Sequence, residues 1–201
     1  MRVPRLVLAS GSEARARLLR AAGLRFEVEP AEVDELAIRE ALDTDGGMLP
    51  EDVAAILAEA KAATVSERRP LDFVIGADQI LEFRGRILEK AETVAEAREK
   101  LIELRGRSHR LISAVVVART GATLWRHTDQ AELRMRDFSN GFLGRYIAEC
   151  GGAAIRSVGA YEIEAQGIQL FSSIAGDSFT IQGLPLLPLL QFLRQEEVIP
   201  S

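Results

Sequence analysis

Ser10, Ser12 and Arg15 have the types and spacing to hold an anion. Leu6-Val7-Leu8-Ala9 reads as an apolar strand, Ser10-Gly11-Ser12 as a tight hydroxyl-lined turn, and Glu13-Ala14-Arg15-Ala16-Arg17-Leu18-Leu19 as the opening of a helix. Backbone N–H groups, two hydroxyls and the positive end of a helix dipole then converge on one point, an arrangement suited to phosphate. The first 25 residues carry six arginines and one acid, whereas the whole chain has 25 basic against 30 acidic side chains, so positive charge concentrates near this turn. A plain capped helix would use the same residues: Ser10 with Glu13 fits the S-x-x-E capping box, and Gly23 stands where a helix-ending glycine would. Neither standard phosphate loop, G-x-x-x-x-G-K-[ST] or G-x-G-x-x-G, is present, which disfavours the usual nucleotide folds.

Asp78 is the second candidate. It follows the apolar run Phe73-Val74-Ile75-Gly76-Ala77, and a carboxylate at the mouth of a buried strand is costly to desolvate unless it has a task; capping the following turn is the structural alternative. Lys61 falls about 80° from the middle of a helical face made by Val53, Ile56, Leu57, Ala60 and Thr64, at the edge of that face. Lys90 and the acidic segment Glu32-Val33-Asp34-Glu35 complete the set. Singly, the lysines and the acidic segment read as solvated surface. Together, hydroxyls, an arginine and two lysines could neutralise a polyphosphate, while two carboxylates hold a hard divalent cation that keeps part of its water shell.

Other chemistries find less support. The two histidines, His109 and His127, lack a nucleophile-elbow motif, and one cysteine with two distant histidines cannot supply a usual zinc ligand set. Cys150, the single cysteine, excludes an intramolecular disulfide and reads as a small buried apolar residue. A net charge of −5 argues against non-specific nucleic-acid binding. No apolar run reaches the length of a membrane span and no signal-peptide pattern opens the chain, so a cytoplasmic protein without a membrane partner is expected.

These residues need elements to position them. At 201 residues with 47% apolar content, the chain is expected to be one folding unit over 1–201. Arg25–Glu29 reads as a second strand, residues 42–50 as a loop, and the segment before Pro70 as a helix. A hairpin-like turn at Glu82–Gly85 follows the strand that delivers Asp78 and Gln79 at its end. Thr93 with Glu96 caps a helix lined by Val94, Ala97, Leu101 and Leu104, and Leu111–Ala118 and Ala122–Met135 read as long strands. Ser139 caps a helix ended by Gly151-Gly152, and Pro185 opens the last helix. The element order predicts an α/β fold with a mixed twisted sheet and flanking helices.

Several of these segments together resemble the Maf family of nucleoside triphosphate pyrophosphatases. The resemblance is carried by Leu8-Ala9-Ser10-Gly11-Ser12 with Arg15 and Leu18-Leu19, by Glu32-Val33-Asp34-Glu35, Ala60-Lys61-Ala62, Ile75-Gly76-Ala77-Asp78-Gln79 and Lys90, then by Leu104-Arg105-Gly106-Arg107-Ser108-His109, Gly159-Ala160-Tyr161 and Gly183-Leu184-Pro185, in family order over nearly the whole chain. It implies two lobes around a deep cleft, in a fold similar to the inosine triphosphate pyrophosphatases. It also implies hydrolysis between the α- and β-phosphates with Mg²⁺ or Mn²⁺. Asp78 matches the family's proposed catalytic base, Ser10, Ser12, Arg15, Lys61 and Lys90 match phosphate contacts, and Asp34 matches an acidic position associated with metal or water. A nucleoside triphosphate is then the expected partner, with room for a homodimer. Because members of the family have been linked to inhibition of septum formation, a non-catalytic nucleotide-binding regulator is the alternative.

Three departures bear on substrate. Ala14 replaces an arginine that, in members acting on thymidine and uridine triphosphates, accompanies a threonine after the aspartate, where this chain has Gln79, and a glutamine where it has Glu164. Gln79 and the run Gly167-Ile168-Gln169-Leu170-Phe171 are closer to the branch acting on 7-methyl-GTP, although that branch tends to carry a bulky aromatic at the position of Ala14. Glu89-Lys90-Ala91 replaces the usual Gly-Lys-Pro and sets a negative charge beside a phosphate lysine. Gln79 and Glu164 could pair with a purine edge.

Overall fold

The computed structural model describes residues 4–43 and 48–200. Its strands, β1 (Leu6–Leu8), β2 (Glu27–Val28), β3 (Phe73–Phe83), β4 (Arg86–Leu88), β5 (Ser108–Arg119), β6 (Ala122–Met135) and β7 (Phe171–Ala175), form a mixed sheet of order β2-β1-β3-β5-β6-β7, with β4 paired to β3. The chain divides into two compact units, Met1–Gln79 with Ile112–Asp129 and Gly183–Ser201, and Ile80–Leu111 with Gln130–Gln182.

The first unit begins with β1 (Leu6–Leu8), whose three residues are all buried because β2 (Glu27–Val28) and β3 (Phe73–Phe83) flank it in parallel. Helix α1 (Glu13–Ala21) starts at Ser12, not at Ser10: the Ser12 hydroxyl accepts from the Arg15 N–H at 3.4 Å. Ser10 accepts instead from the Ser12 N–H at 3.3 Å, two residues too early to cap the helix. At the other end Gly23 donates to Arg20 and Leu24 to Leu19, the paired bonds of a Schellman ending. Helix α2 (Glu35–Asp43) was not foreseen in the acidic segment, and the predicted loop at 42–50 gives way at its far end to α3 (Pro50–Arg68), with Pro50 in the first turn. Gly46 and Gly47 of that loop lie outside the described residues.

Helix α3 corrects the sequence reading most. Its buried face is Val53, Ala54, Leu57, Ala58, Lys61, Ala62 and Val65, so Lys61 lies on that face and not at its edge. The periodicity of large apolar residues misplaced the stripe because small alanines supply much of it. Gly76 explains the choice: a Cβ there would stand 2.2 Å from the Ala58 carbonyl oxygen and 2.6 Å from the Ala62 nitrogen. Glycine on the strand and alanines on the helix let the two backbones meet. Strand β3 also runs beyond Asp78 to Phe83, so Asp78 sits mid-strand rather than at a strand end. The apolar contacts of Val7, Ala9, Val65 and Val74 fill the space between helix and sheet.

In the second unit the end of β3 pairs antiparallel with β4 (Arg86–Leu88) through the turn Arg84-Gly85, both residues at positive φ. Helix α4 (Val94–Leu104) is capped as expected, with the Thr93 hydroxyl accepting from Glu96. Strands β5 (Ser108–Arg119) and β6 (Ala122–Met135) run through both units, and β6 pairs with β7 (Phe171–Ala175), which follows a short 3-10 helix at Gln166–Leu170. Helix α5 (Asn140–Ala154) continues past Gly151-Gly152, and Gly151 packs against Val94, whose Cγ1 would lie 3.0 Å from a Cβ there. Cys150 packs against the apolar core of this unit, but it is only half-buried and its thiol donates to Gln166 Oε1 at 3.3 Å. Two short helices, α6 (Ser178–Ile181) in the second unit and α7 (Leu186–Gln195) in the first, complete the chain.

The core of the second unit encloses His109, 2% exposed, against Tyr161 and Phe171. Its Nε2 shares a 2.6 Å hydrogen bond with the Tyr161 hydroxyl, while Nδ1 has no hydrogen-bond partner. Burial pulls its pKa down to about 4, with the Glu82 carboxylate opposing.

Two outcomes follow from this packing. Gly76→Ala should lower stability by about 1–3 kcal/mol, the usual range for overpacking, because its neighbours are backbone atoms; thermal and urea unfolding measure it. His109 is neutral in the folded state and titrates near its ordinary value of 6.5 when unfolded, so its contribution is intact above that pH and is lost as pH falls from about 6.5 to about 4. The stability difference between wild type and His109→Gln, followed by urea unfolding from pH 8 to pH 4, should shrink by about 1.4 kcal/mol per pH unit within that window. A difference independent of pH would contradict this.

Candidate active site

The site is built at the Asp78 position of β3. The close contact at Gly76 lays α3 against the strand, and Lys61 Nζ meets Asp78 Oδ1 at 2.6 Å, with both side chains nearly enclosed. The first residue of α2 joins from another direction: Glu35 Oε1 lies 2.8 Å from the same ammonium. Lys61 thus bridges two carboxylates. Asp34 accepts from the Ala37 N–H at 3.0 Å and is exposed, so the neighbouring Glu35 occupies the place beside Lys61. Glu35 is visible in the sequence only as part of an acidic run; the helix start that brings it to Lys61 cannot be read there.

The Ser10 turn forms the adjoining wall. Ser10 is buried and its Oγ accepts from Arg15 Nη1 at 3.0 Å, while Arg15 Nε donates to the Gly183 carbonyl at 2.8 Å. Burial lowers the Arg15 pKa, and the charges of Asp78 and then Glu35 act to raise it, so the guanidinium feels the same carboxylates that Lys61 touches. Having accepted two hydrogen bonds, Ser10 retains its own hydroxyl proton as a donor. The first N–H groups of α1 lie beside it, without intrahelical acceptors by the geometry of a helix start. Glu13, on the same turn, is paired with Arg20 at 2.6 Å.

Gly183 closes the arrangement from before α7. Its φ of +93° is a glycine conformation, and a Cβ would lie 3.5 Å from Arg15 Nε and 3.7 Å from Gln79 Cδ. Gln79 is half-buried and donates through Nε2 to Ser113 Oγ at 3.1 Å. Ser10, Ser12, Arg15, Lys61, Asp78 and Gln79 therefore belong to one unit with Glu35, Ser113 and Gly183. Lys90 and Glu164 belong to the other, both exposed, Lys90 after β4 and Glu164 in the turn before the 3-10 helix.

Charge and donor chemistry decide whether a divalent cation suits the first group. Arg15 and Lys61 balance Asp78 and Glu35, so a triphosphate would bring its own charge uncompensated. Asp78 Oδ1 and Glu35 Oε1 are already held by the Lys61 ammonium, whereas Asp78 Oδ2 is buried without a hydrogen-bond partner and is the oxygen left for a cation. Among the described residues no group of three or more His, Cys, Asp or Glu forms a closed metal cage. One or two carboxylates completed by water and phosphate oxygens are what Mg²⁺ ordinarily takes, and Asp78 with Glu35 fits that pattern.

Comparison with known proteins places the chain. It is 52% identical over 195 residues, 97% of this chain and 98% of the other, to a protein of Brucella abortus named 7-methyl-GTP pyrophosphatase. It is 50% identical over 189 residues, 94% of each chain, to a protein of Caulobacter vibrioides named nucleoside triphosphate pyrophosphatase. A solved dITP/XTP pyrophosphatase from Mycobacterium abscessus is similar at a TM-score of 0.39 and 14% identity, covering 97% of each chain, too slight a likeness to bear on the site. The family model described as Maf-like protein matches residues 5–196, and with relatives this similar over nearly its whole length the chain belongs to the Maf family.

Proposed function

We propose that this chain is a nucleoside triphosphate pyrophosphatase, cleaving the bond between the α-phosphorus and the α–β bridging oxygen to give a monophosphate and pyrophosphate. The observation that carries the reading is the buried Asp78 carboxylate, with one oxygen on Lys61 and the other without a hydrogen-bond partner, beside a hydroxyl-lined helix start. The names of the relatives support it.

In this reading Asp78 Oδ2, the carboxylate oxygen without a hydrogen-bond partner, takes a proton from water as that water attacks the α-phosphorus. Lys61 holds Oδ1 and so fixes the direction in which Oδ2 points. Ser10, Ser12 and the α1 N–H groups hold phosphate oxygens, and Arg15, whose Nε and Nη1 are already engaged, acts by orienting Ser10 and adding positive potential. A divalent cation, Mg²⁺ or Mn²⁺, bound by Asp78 and Glu35 would neutralise charge on the phosphates. Lys90 as a further phosphate contact and Glu164 as a contact to the base rest on their place in the family motifs. The two units are proposed to serve one activity, since the family match spans both.

The substrate proposal is a purine triphosphate, 7-methyl-GTP among the candidates. It is supported by the names of the Brucella, Mesorhizobium and Rhizobium relatives and by Gln79, an amide that can pair with a purine edge. Alkylation at N7 makes the ring cationic, which strengthens pairing to a carboxylate such as Glu164.

Pyrophosphate release from 7-methyl-GTP, GTP, dTTP and UTP with Mg²⁺ or Mn²⁺ tests both levels. Release from at least one triphosphate is expected, with kcat/KM higher for the purines; release from none would overturn the reaction, and a clear preference for dTTP or UTP only the substrate. Asp78→Asn should lower kcat by about 10²–10⁴-fold with a smaller effect on binding, the usual consequence of losing a general base. A variant that kept more than half of wild-type turnover at saturating substrate would place the base elsewhere.

A further inference from the structure

Ser113 is a polar residue enclosed in an otherwise aliphatic stretch of its strand. It lies in β5 in the run Leu111-Ile112-Ser113-Ala114-Val115-Val116-Val117, all buried, and is itself 0% exposed. A hydroxyl enclosed among aliphatic side chains costs free energy unless it is hydrogen-bonded, and alanine would fill the same position in the strand without that cost. Its hydroxyl oxygen accepts from Gln79 Nε2 at 3.1 Å. Gln79 is the residue next to Asp78 on the adjacent strand, and its amide carbon and the Arg15 guanidinium both come within 4 Å of where a Gly183 side chain would begin.

An unrestrained glutamine amide can rotate by half a turn and exchange its donor and acceptor ends, so it discriminates poorly between base edges. An amide bonded to a fixed, buried hydroxyl is held against rotation, and with its NH₂ on Ser113 Oγ the Gln79 amide turns its carbonyl oxygen the other way. We propose that Ser113 is a positioning residue for substrate selection: by anchoring the Gln79 amide it sets which donor–acceptor pattern the site offers to the base. The proposal rests on the nucleotide-hydrolase reading above and deepens it. Ser113 acts on the base through Gln79, so it should affect the choice between substrates and leave the chemical step in place.

A double-mutant cycle tests this. kcat and KM for 7-methyl-GTP, GTP, dTTP and UTP are measured in wild type, Ser113→Ala, Gln79→Ala and the double variant, with Ser113→Thr as the variant that keeps a hydroxyl. Ser113→Ala should reduce the kcat/KM ratio of preferred to disfavoured base by about 5–30-fold, the weight of a 1–2 kcal/mol hydrogen bond. The change should lie in KM, be recovered in Ser113→Thr, and vanish in the Gln79→Ala background. An unchanged ratio, or an equal change with Gln79 already removed, would overturn the role of Ser113 while leaving the pyrophosphatase reading intact. Absence of turnover and of nucleotide binding in the wild type would overturn both. The side-chain amide NMR signal of Gln79, identified by its loss in Gln79→Ala, gives a readout independent of turnover. It should shift in Ser113→Ala and stay near its wild-type position in Ser113→Thr; a signal indifferent to Ser113→Ala would show that the anchor is not made.

Discussion

Helix α3 and strand β3 come together at backbone distance, and the arrangement of charge around Asp78 depends on it. Gly76 has no side chain, Ala58 and Ala62 have the smallest ones that a good helix former can carry, and no larger residue fits at Gly76 without moving the helix. A lysine one turn along that contact has little solvent to reach: Lys61 is 9% exposed, and its ammonium must be met by protein charge. Asp78 and Glu35 meet it. Glu35 keeps 43% of its side chain exposed, but the Lys61–Asp78 pair is buried. Such a pair gains little over a well-packed apolar alternative, because desolvation offsets the attraction, whereas removing one partner is expensive. Its presence in an otherwise alanine- and valine-lined interface argues for chemistry rather than for stability.

The same economy of polar groups extends across the first unit. Arg15 is held by a serine hydroxyl and a backbone carbonyl, so its position is set by two elements far apart in the chain, the Ser10 turn and the Gly183 segment, 168 residues apart at the bonded pair. The four buried or half-buried charges balance, which leaves the group tolerant of burial by itself. A polyphosphate disturbs that balance, and this gives a physical reason for a cation to arrive with it. The positive end of α1 adds a fixed potential that needs no counter-charge from a side chain.

The second unit follows a different plan. Its interior is a continuous apolar cluster from Leu81 to Ile181, with one histidine and two tyrosines inside. Lys100 donates to the carbonyl oxygens of Glu89 and Val158, which ties the segment carrying Lys90 to the Gly159-Ala160-Tyr161 segment. Burial lowers the pKa of Lys100 while Glu89, Glu96 and Glu103 oppose it. A lysine spent on two backbone carbonyls gives shape to the loop from which Lys90 projects to solvent.

The sequence by itself determined the α/β class, most strands and helices, and the membership of Ser10, Ser12, Arg15, Lys61 and Asp78 in one chemical theme. These were legible because strand–turn–helix punctuation, apolar runs and short motifs are local properties of the chain. What it did not determine was which serine caps α1, since Ser10 and Ser12 both precede a helix, and which side of α3 is buried, since alanines carry no strong periodic signal. Tertiary structure decided both, the second through a steric constraint at Gly76 that no local pattern contains. Glu35 rather than Asp34 beside Lys61, and Ser113 beneath Gln79, were likewise decided by packing. Adjacent acids are equivalent on paper until a helix start brings one to Lys61, and a serine in a valine-rich strand acquires meaning only when a neighbouring strand supplies its partner.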